Sequence, residues 1–216
     1  MNAVTLRMIA LLAVAVPVLP GQFSAGLPLY QTTFTSTDGS FRFSYPGDFQ
    51  VCAAGKMEPC MMRYYIPPCE EDAIVCVVYP AKKTEGTNFG AAAFQVRKIH
   101  TPRETTTPNG CVKPYADDAE GASFRPEYLN PARHPEEIIG GVRFTHGVSA
   151  GVAAGHSGSV DAYRNFHQGS CYELSVTRSQ TAAANFDPPM KTLTPAAQKE
   201  MDEILSRVLH SFRFKN

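Results

Sequence analysis

Apolar and polar positions first alternate in Phe41-Arg42-Phe43-Ser44-Tyr45, which places three aromatic rings on one face of a strand. Pro46-Gly47-Asp48 turns the chain, and residues 49–52 resume the strand pattern. Residues 73–79 and 91–99 are nearly continuous apolar runs of strand length. Beyond residue 140 the pattern becomes strand, turn, strand. Val142, Phe144 and His146 share a face, and the small residues 149–155 allow a strand of little bulk. Residues 155–159 read as a flexible turn and residues 160–167 as the returning strand. Gln168-Gly169 turns the chain again, and Tyr172, Leu174 and Val176 then alternate with Cys171, Glu173 and Ser175. Connections this short join antiparallel strands, not parallel crossovers.

The C-terminal pattern is helical. Thr194 can cap, Pro195 suits the first helical position, and Met201, Ile204, Leu205, Val208 and Leu209 recur at helical spacing. Such a stripe has to be buried, and the available surface is the apolar face of the strands. The expected fold class is therefore α+β, an antiparallel β-sheet with a C-terminal amphipathic helix packed on it. Residues 211–214 alternate again and are expected to form or extend an edge strand.

Two segments break the pattern. Arg7 and the apolar run 8–19, shorter than the roughly 20 residues that cross a bilayer, read as a secretory signal, with residues 1–25 removed by a cut near Ser24-Ala25. Residues 101–138 hold six prolines, Pro102, Pro108, Pro114, Pro126, Pro131 and Pro135, which remove backbone donors too often for a sheet to persist. The expected organisation is a single α+β domain over residues 26–216 with this Pro-rich insertion at about 101–138. No later run is long enough to span a membrane, so no stable membrane insertion is expected after signal removal. The expected location is secreted or periplasmic.

Composition narrows the partners. The 216 residues carry 20 Lys+Arg against 20 Asp+Glu, which leaves no electrostatic footprint for nucleic acid. The six cysteines, Cys52, Cys60, Cys69, Cys76, Cys111 and Cys171, form an even set, as expected of an exported chain that meets oxidants. Spacing leaves their connectivity open. The arrangement expected here is a nested hairpin, Cys52 with Cys76 and Cys60 with Cys69, plus Cys111 with Cys171. No C-x-x-C pair is present, which argues against zinc held by cysteine.

Candidate chemistry is sparse. Gly155-His156-Ser157-Gly158-Ser159 lacks the glycine that a nucleophile elbow places two positions after its serine. His146, His156 and His167 are spaced by about one strand and its turn, so the alternative function is a metal-dependent or hydrolytic enzyme built on them. Tyr163, Asn165 and His167 alternate onto one face, opposite Arg164 and Phe166. With Tyr172 and His146 they make a possible binding patch for a peptide or a sugar. Paired tyrosines on neighbouring strands also stabilise a sheet by contact alone. No catalytic residue, cofactor site or metal site is assigned. A third reading is a structural subunit of an envelope assembly, with Phe212 and Phe214 on an edge open to strand addition.

Two stretches carry a resemblance. Phe41-Arg42-Phe43-Ser44-Tyr45-Pro46-Gly47-Asp48-Phe49 resembles the start of PsbP-like domains, where an aromatic strand runs into Tyr-Pro and a large aromatic residue. The helix Met201 to Leu209, followed by Ser211-Phe212, is similar to their closing helix and Ser-Phe ending. The resemblance implies an antiparallel sheet with helices on its faces, used by exported proteins as a non-catalytic scaffold or binding module. The expected function is accordingly an exported, disulfide-stabilised, non-catalytic binding or accessory domain with a protein or small-molecule ligand.

Overall fold

Alternation along the strands makes one sheet with two unlike faces, and the helix takes the apolar one. The computed structural model describes residues 31–53, 55–61, 68–99, 110–111 and 136–215. The expected signal segment and most of the Pro-rich insertion lie outside the described residues. In chain order the elements are β1 (Gln31–Thr35), β2 (Phe41–Pro46), β3 (Gln50–Ala53), α1 (Glu58–Met61), β4 (Ala73–Val78), β5 (Phe89–Ile99), β6 (Glu137–Ile139), β7 (Val142–Ala153), β8 (His156–His167), β9 (Ser170–Thr181), α2 (Pro195–Ser211) and β10 (Arg213–Phe214). A seven-stranded sheet runs β3-β4-β5-β9-β8-β7-β6, and a three-stranded sheet runs β1-β2-β10. Every ladder between these strands is antiparallel. The fold is α+β, as expected.

Three boundaries differ from the sequence reading. The turn expected at 155–159 is only Ala154-Gly155, both at positive φ (50° and 76°), the backbone that a two-residue hairpin turn requires. Residues 156–159 are already extended in β8, because small side chains do not prevent pairing with β7 and β9. Glu137–Ile139 is a strand at the end of the expected insertion, paired with β7.

On its apolar face the large sheet presents Val75, Val77, Phe94, Val96, Tyr163, Leu174 and Val176, covered by α2 and by Phe41 and Phe43 of β2. All five residues of the α2 stripe are buried, and the Thr194 side chain accepts a hydrogen bond from Ala197 N at 3.2 Å. Arg213–Phe214 is the expected edge strand, since β10 ends the three-stranded sheet and pairs with β2 alone. Phe212 is fully buried and stacks on Phe41.

The other face carries Gln95, Arg97, Arg164, Glu173 and Ser175, together with the cysteines. The disulfides are Cys52–Cys60, Cys69–Cys76 and Cys111–Cys171. The third is the expected one, and the nested pair is corrected. Cys52 and Cys76 do stand opposite each other in the β3–β4 ladder, yet each bonds within its own short loop. The turn at α1, where Cys60 N donates to Met57 O (2.9 Å), brings Cys60 back to Cys52. Cys69 is set ahead of β4 by hydrogen bonds from Thr177 Oγ1 to Pro68 O (2.7 Å) and from Glu70 N to Gln95 Oε1 (2.8 Å). Both bridges pack with Met57, Ala73, Val78 and Ala93 in one small buried cluster.

Glu173, 3% exposed, lies between two guanidiniums: Arg97 Nε donates at 2.8 Å and Arg164 Nε at 2.7 Å. Burial alone would push its carboxyl up, but Arg97 and Arg164 outweigh that and hold it below the usual carboxylate range.

Candidate functional site

β7, β8 and β9 are each 12 residues long. Between their apolar face and the first turns of α2 lies a cleft of about 490 Å³. Its floor is Ala150, Gly151, Ser157, Gly158 and Ser159, the low-bulk stretch of β7 and β8. Phe89 of β5 and Met201 of α2 give apolar walls, and Gln180 and Gln198 stand at the mouth. Val152, 79% exposed, marks the rim.

Local chemistry sets this shape. β5 carries a bulge between Phe89 and Ala91, where Ser179 Oγ accepts a hydrogen bond from Ala91 N at 3.1 Å. A Cβ on Gly90 would come within 2.8 Å of that oxygen, so the bulge requires glycine. The hairpin tip is tied to the following segment by Ala182 N to Gly155 O (2.6 Å) and by His156 Nδ1 with Thr181 Oγ1 (2.9 Å).

Arg178 forms the charged wall. Its Nε donates to Asp202 Oδ1 at 2.6 Å and its Nη1 to Asp161 Oδ2 at 2.7 Å, which joins α2 to β8. Burial pushes the Asp161 carboxyl up, but hydrogen bonds from His146 and Arg178 more than reverse this and leave it below its ordinary value. Burial opposes charge on Arg178 too, and the two carboxylates override it. Among the described residues, Arg178 is the one charged side chain lining the cleft, and it is paired with two acids, which leaves the array with one net negative charge.

The sequence-derived patch divides in two. His146 and Tyr163 are cross-strand partners whose rings stack at 4.4 Å and 6°. His146 Nε2 lies 3.4 Å from Asp161 Oδ1, which connects this pair to the Arg178 wall. Burial, then the nearby Glu137 and Asp161, push the Tyr163 hydroxyl pKa up. The other three residues lie by the C-terminal strand. His167 stacks on Phe214 at 3.8 Å and 10°, and Tyr172 meets the same ring edge-on at 5.0 Å. Asn165 Nδ2 donates to Arg143 O at 2.8 Å. Burial lowers the His167 pKa.

The three histidines do not converge. His156 lies on the opposite face from His146 and seven residues along β8 from Tyr163, about 23 Å at strand rise. His167 is four residues from Tyr163 in the other direction, about 13 Å. Among the described residues no group of three or more His, Cys, Asp or Glu side chains is placed to hold a metal ion. Residues 155–159 run from turn into strand, with no helix following. Sequence reasoning missed Phe89, Asp161, Arg178, Gln180 and Gln198. The available signal was the alternation of β9, which continues through Arg178 and Gln180 after the apolar residues stop.

No protein-family model matches the chain, and no curated protein matches it. Among solved structures it is similar to the cyanobacterial PsbP (CyanoP) of Synechocystis sp. PCC 6803, at 10% identity over 91% of this chain and 99% of that one, TM-score 0.40. It is also similar to the Ran-binding protein Mog1p of Saccharomyces cerevisiae, at 9% identity over 86% and 95%, TM-score 0.43. A protein of Bacteroides thetaiotaomicron aligns at 11% identity over 85% of this chain, TM-score 0.40, and the chain spans 48% of its length. A PsbP thus stands among the structural neighbours, in line with the resemblance at the two ends of the chain. Likenesses this distant carry no argument about ligand or partner.

Proposed function

We propose that this chain is an exported, disulfide-braced, non-catalytic binding domain whose ligand site is the cleft between the β7–β9 strands and the start of α2. The supporting observation is the cleft itself: at about 490 Å³ it falls in the size range of small-molecule sites, roughly 300–1,000 Å³. It combines apolar walls with a few convergent polar groups, the composition such sites share. Export is supported by three disulfides, which persist in oxidising compartments, and by the signal-like residues 1–25. Among the described residues no helix is long and apolar enough to cross a membrane. On the same sheet face, His146 lies 3.4 Å from Asp161, which in turn pairs with Arg178 of the lining.

The test is an amide chemical-shift map of the oxidised full chain titrated with a library of small uncharged and charged compounds. Saturable shifts clustering at Phe89, Val152, Gln180 and Gln198 are expected. Shifts confined to Asn165, His167 and Tyr172, or none at all, would contradict the assignment.

A further inference from the structure

The cleft's polar groups specify more than its size does. We propose that its ligand is an uncharged saccharide, an inference that rests on the cleft being the ligand site. Arg178 is held by Asp161 at 2.7 Å and Asp202 at 2.6 Å, so an anion would have to displace a carboxylate that is already paired. A cation would meet Arg178 at the lining, because Asp161 and Asp202 stand outside it and are already paired. What remains for a ligand is Ser157, Ser159, Gln180 and Gln198, hydroxyls and amides that both donate and accept. Their complement is a ligand whose polar groups also do both, which is the chemistry of sugar hydroxyls. Phe89, half-buried at the lining, supplies an aromatic surface for the C–H face of a pyranose ring.

Two competitors fit less well. An extended peptide binds by adding to a free sheet edge, and the edge open beside the cleft among the described residues, β7 beyond Phe144, would take it in the plane of the sheet, away from Gln180 of β9 and Gln198 of α2. β8 and β9 are paired on both sides, so their backbone groups are already used. A wholly apolar ligand would cover the hydroxyls and amides without pairing them, at a cost for each.

The full oxidised chain is titrated, with amide shifts as the readout, against three probe sets: short neutral oligosaccharides, oligosaccharides of equal length carrying a uronic acid, and uncharged tripeptides. At least one neutral oligosaccharide is expected to shift the cleft amides saturably, and its uronate counterpart to bind about tenfold more weakly or less. Gln180→Ala and Gln198→Ala, both at exposed positions, should each weaken that binding severalfold without changing thermal stability. Uronates binding as tightly as neutral sugars, or neutral sugars causing no cleft shift, would overturn the saccharide assignment. If tripeptides alone shift the cleft, the ligand class falls and the cleft stands as a site. If no probe shifts it, both fall.

Discussion

Alternate residues of the same strands meet opposite environments. In β5 and β9, Phe94, Val96, Leu174 and Val176 look toward α2, while Gln95, Arg97, Glu173 and Ser175, three of them just as buried, look the other way. The first face is stabilised by apolar area, which is non-directional and tolerant of rearrangement. The second is stabilised pair by pair, through the Arg97–Glu173–Arg164 array and the hydrogen bond from Gln95 Nε2 to Ser175 Oγ at 3.0 Å. Ion pairs out of water add little net stability, since desolvation offsets attraction. All three disulfides include a strand cysteine on this polar face, Cys52, Cys76 or Cys171. Cross-links are concentrated where apolar burial contributes least.

The strongest way to break the comparison is Phe94→Ala on the apolar face. Denaturant unfolding should show a loss of about 3–5 kcal/mol, and a loss under 1 kcal/mol would mean that this face is not the main source of stability. On the polar face, replacing Cys111 and Cys171 by Ser opens a link between residues 60 apart and should cost about 4 kcal/mol by loop-closure entropy. The same change at Cys52 and Cys60, 8 apart, should cost about 2.5 kcal/mol. Equal costs would show that loop length is not what matters.

Glu173→Gln should cost about 3 kcal/mol, because it leaves two guanidiniums without their shared carboxylate. The combined Arg97→Met, Arg164→Met, Glu173→Leu variant should fall within about 1 kcal/mol of the parent, since no buried charge is left uncompensated. A triple variant as unstable as the single one would give the ionic array a net stabilising role.

The smallest effect is on the pH profile. His167 has its pKa lowered by burial, so the fold favours the neutral ring. Its contribution is present above the ordinary histidine value of 6.5 and lost as pH falls from there through the depressed value. Glu173 and Asp161 also lie below their ordinary values, 4.5 and 3.8, and their contributions are lost only as pH falls below those. Melting temperature should therefore drop in two stages on acidification. His167→Phe should remove the first and leave the second.

The legible parts of the fold were those set by local pattern. The α2 stripe has one buried face, and the Thr194 cap and Pro195 mark its start, so period and boundary agree. β1 was not legible. Gln31-Thr32-Thr33-Phe34-Thr35 offers one large apolar side chain, and its strand state comes from pairing with β2. Cysteine pairing escaped because Cys52 and Cys76 do oppose each other in register, and only the turn geometry at α1 and before β4 directs each sulfur elsewhere. The cleft escaped for a different reason. It lies between the β7–β9 strands and the first turns of α2, a tertiary relation, and its floor of small residues reads locally as a flexible turn. In the patch, the face shared by Tyr163, Asn165 and His167 was legible from alternation. Phe214 stacking on His167 was not, since 47 residues separate the two in the chain.

Bracing of the polar face by oxidised pairs is tested most directly by non-reducing peptide mapping of the alkylated protein taken from its native compartment. The result expected is three cross-linked peptide pairs, Cys52–Cys60, Cys69–Cys76 and Cys111–Cys171, with no alkylated thiol. A Cys52–Cys76 cross-link, or alkylated Cys111 and Cys171, would contradict it.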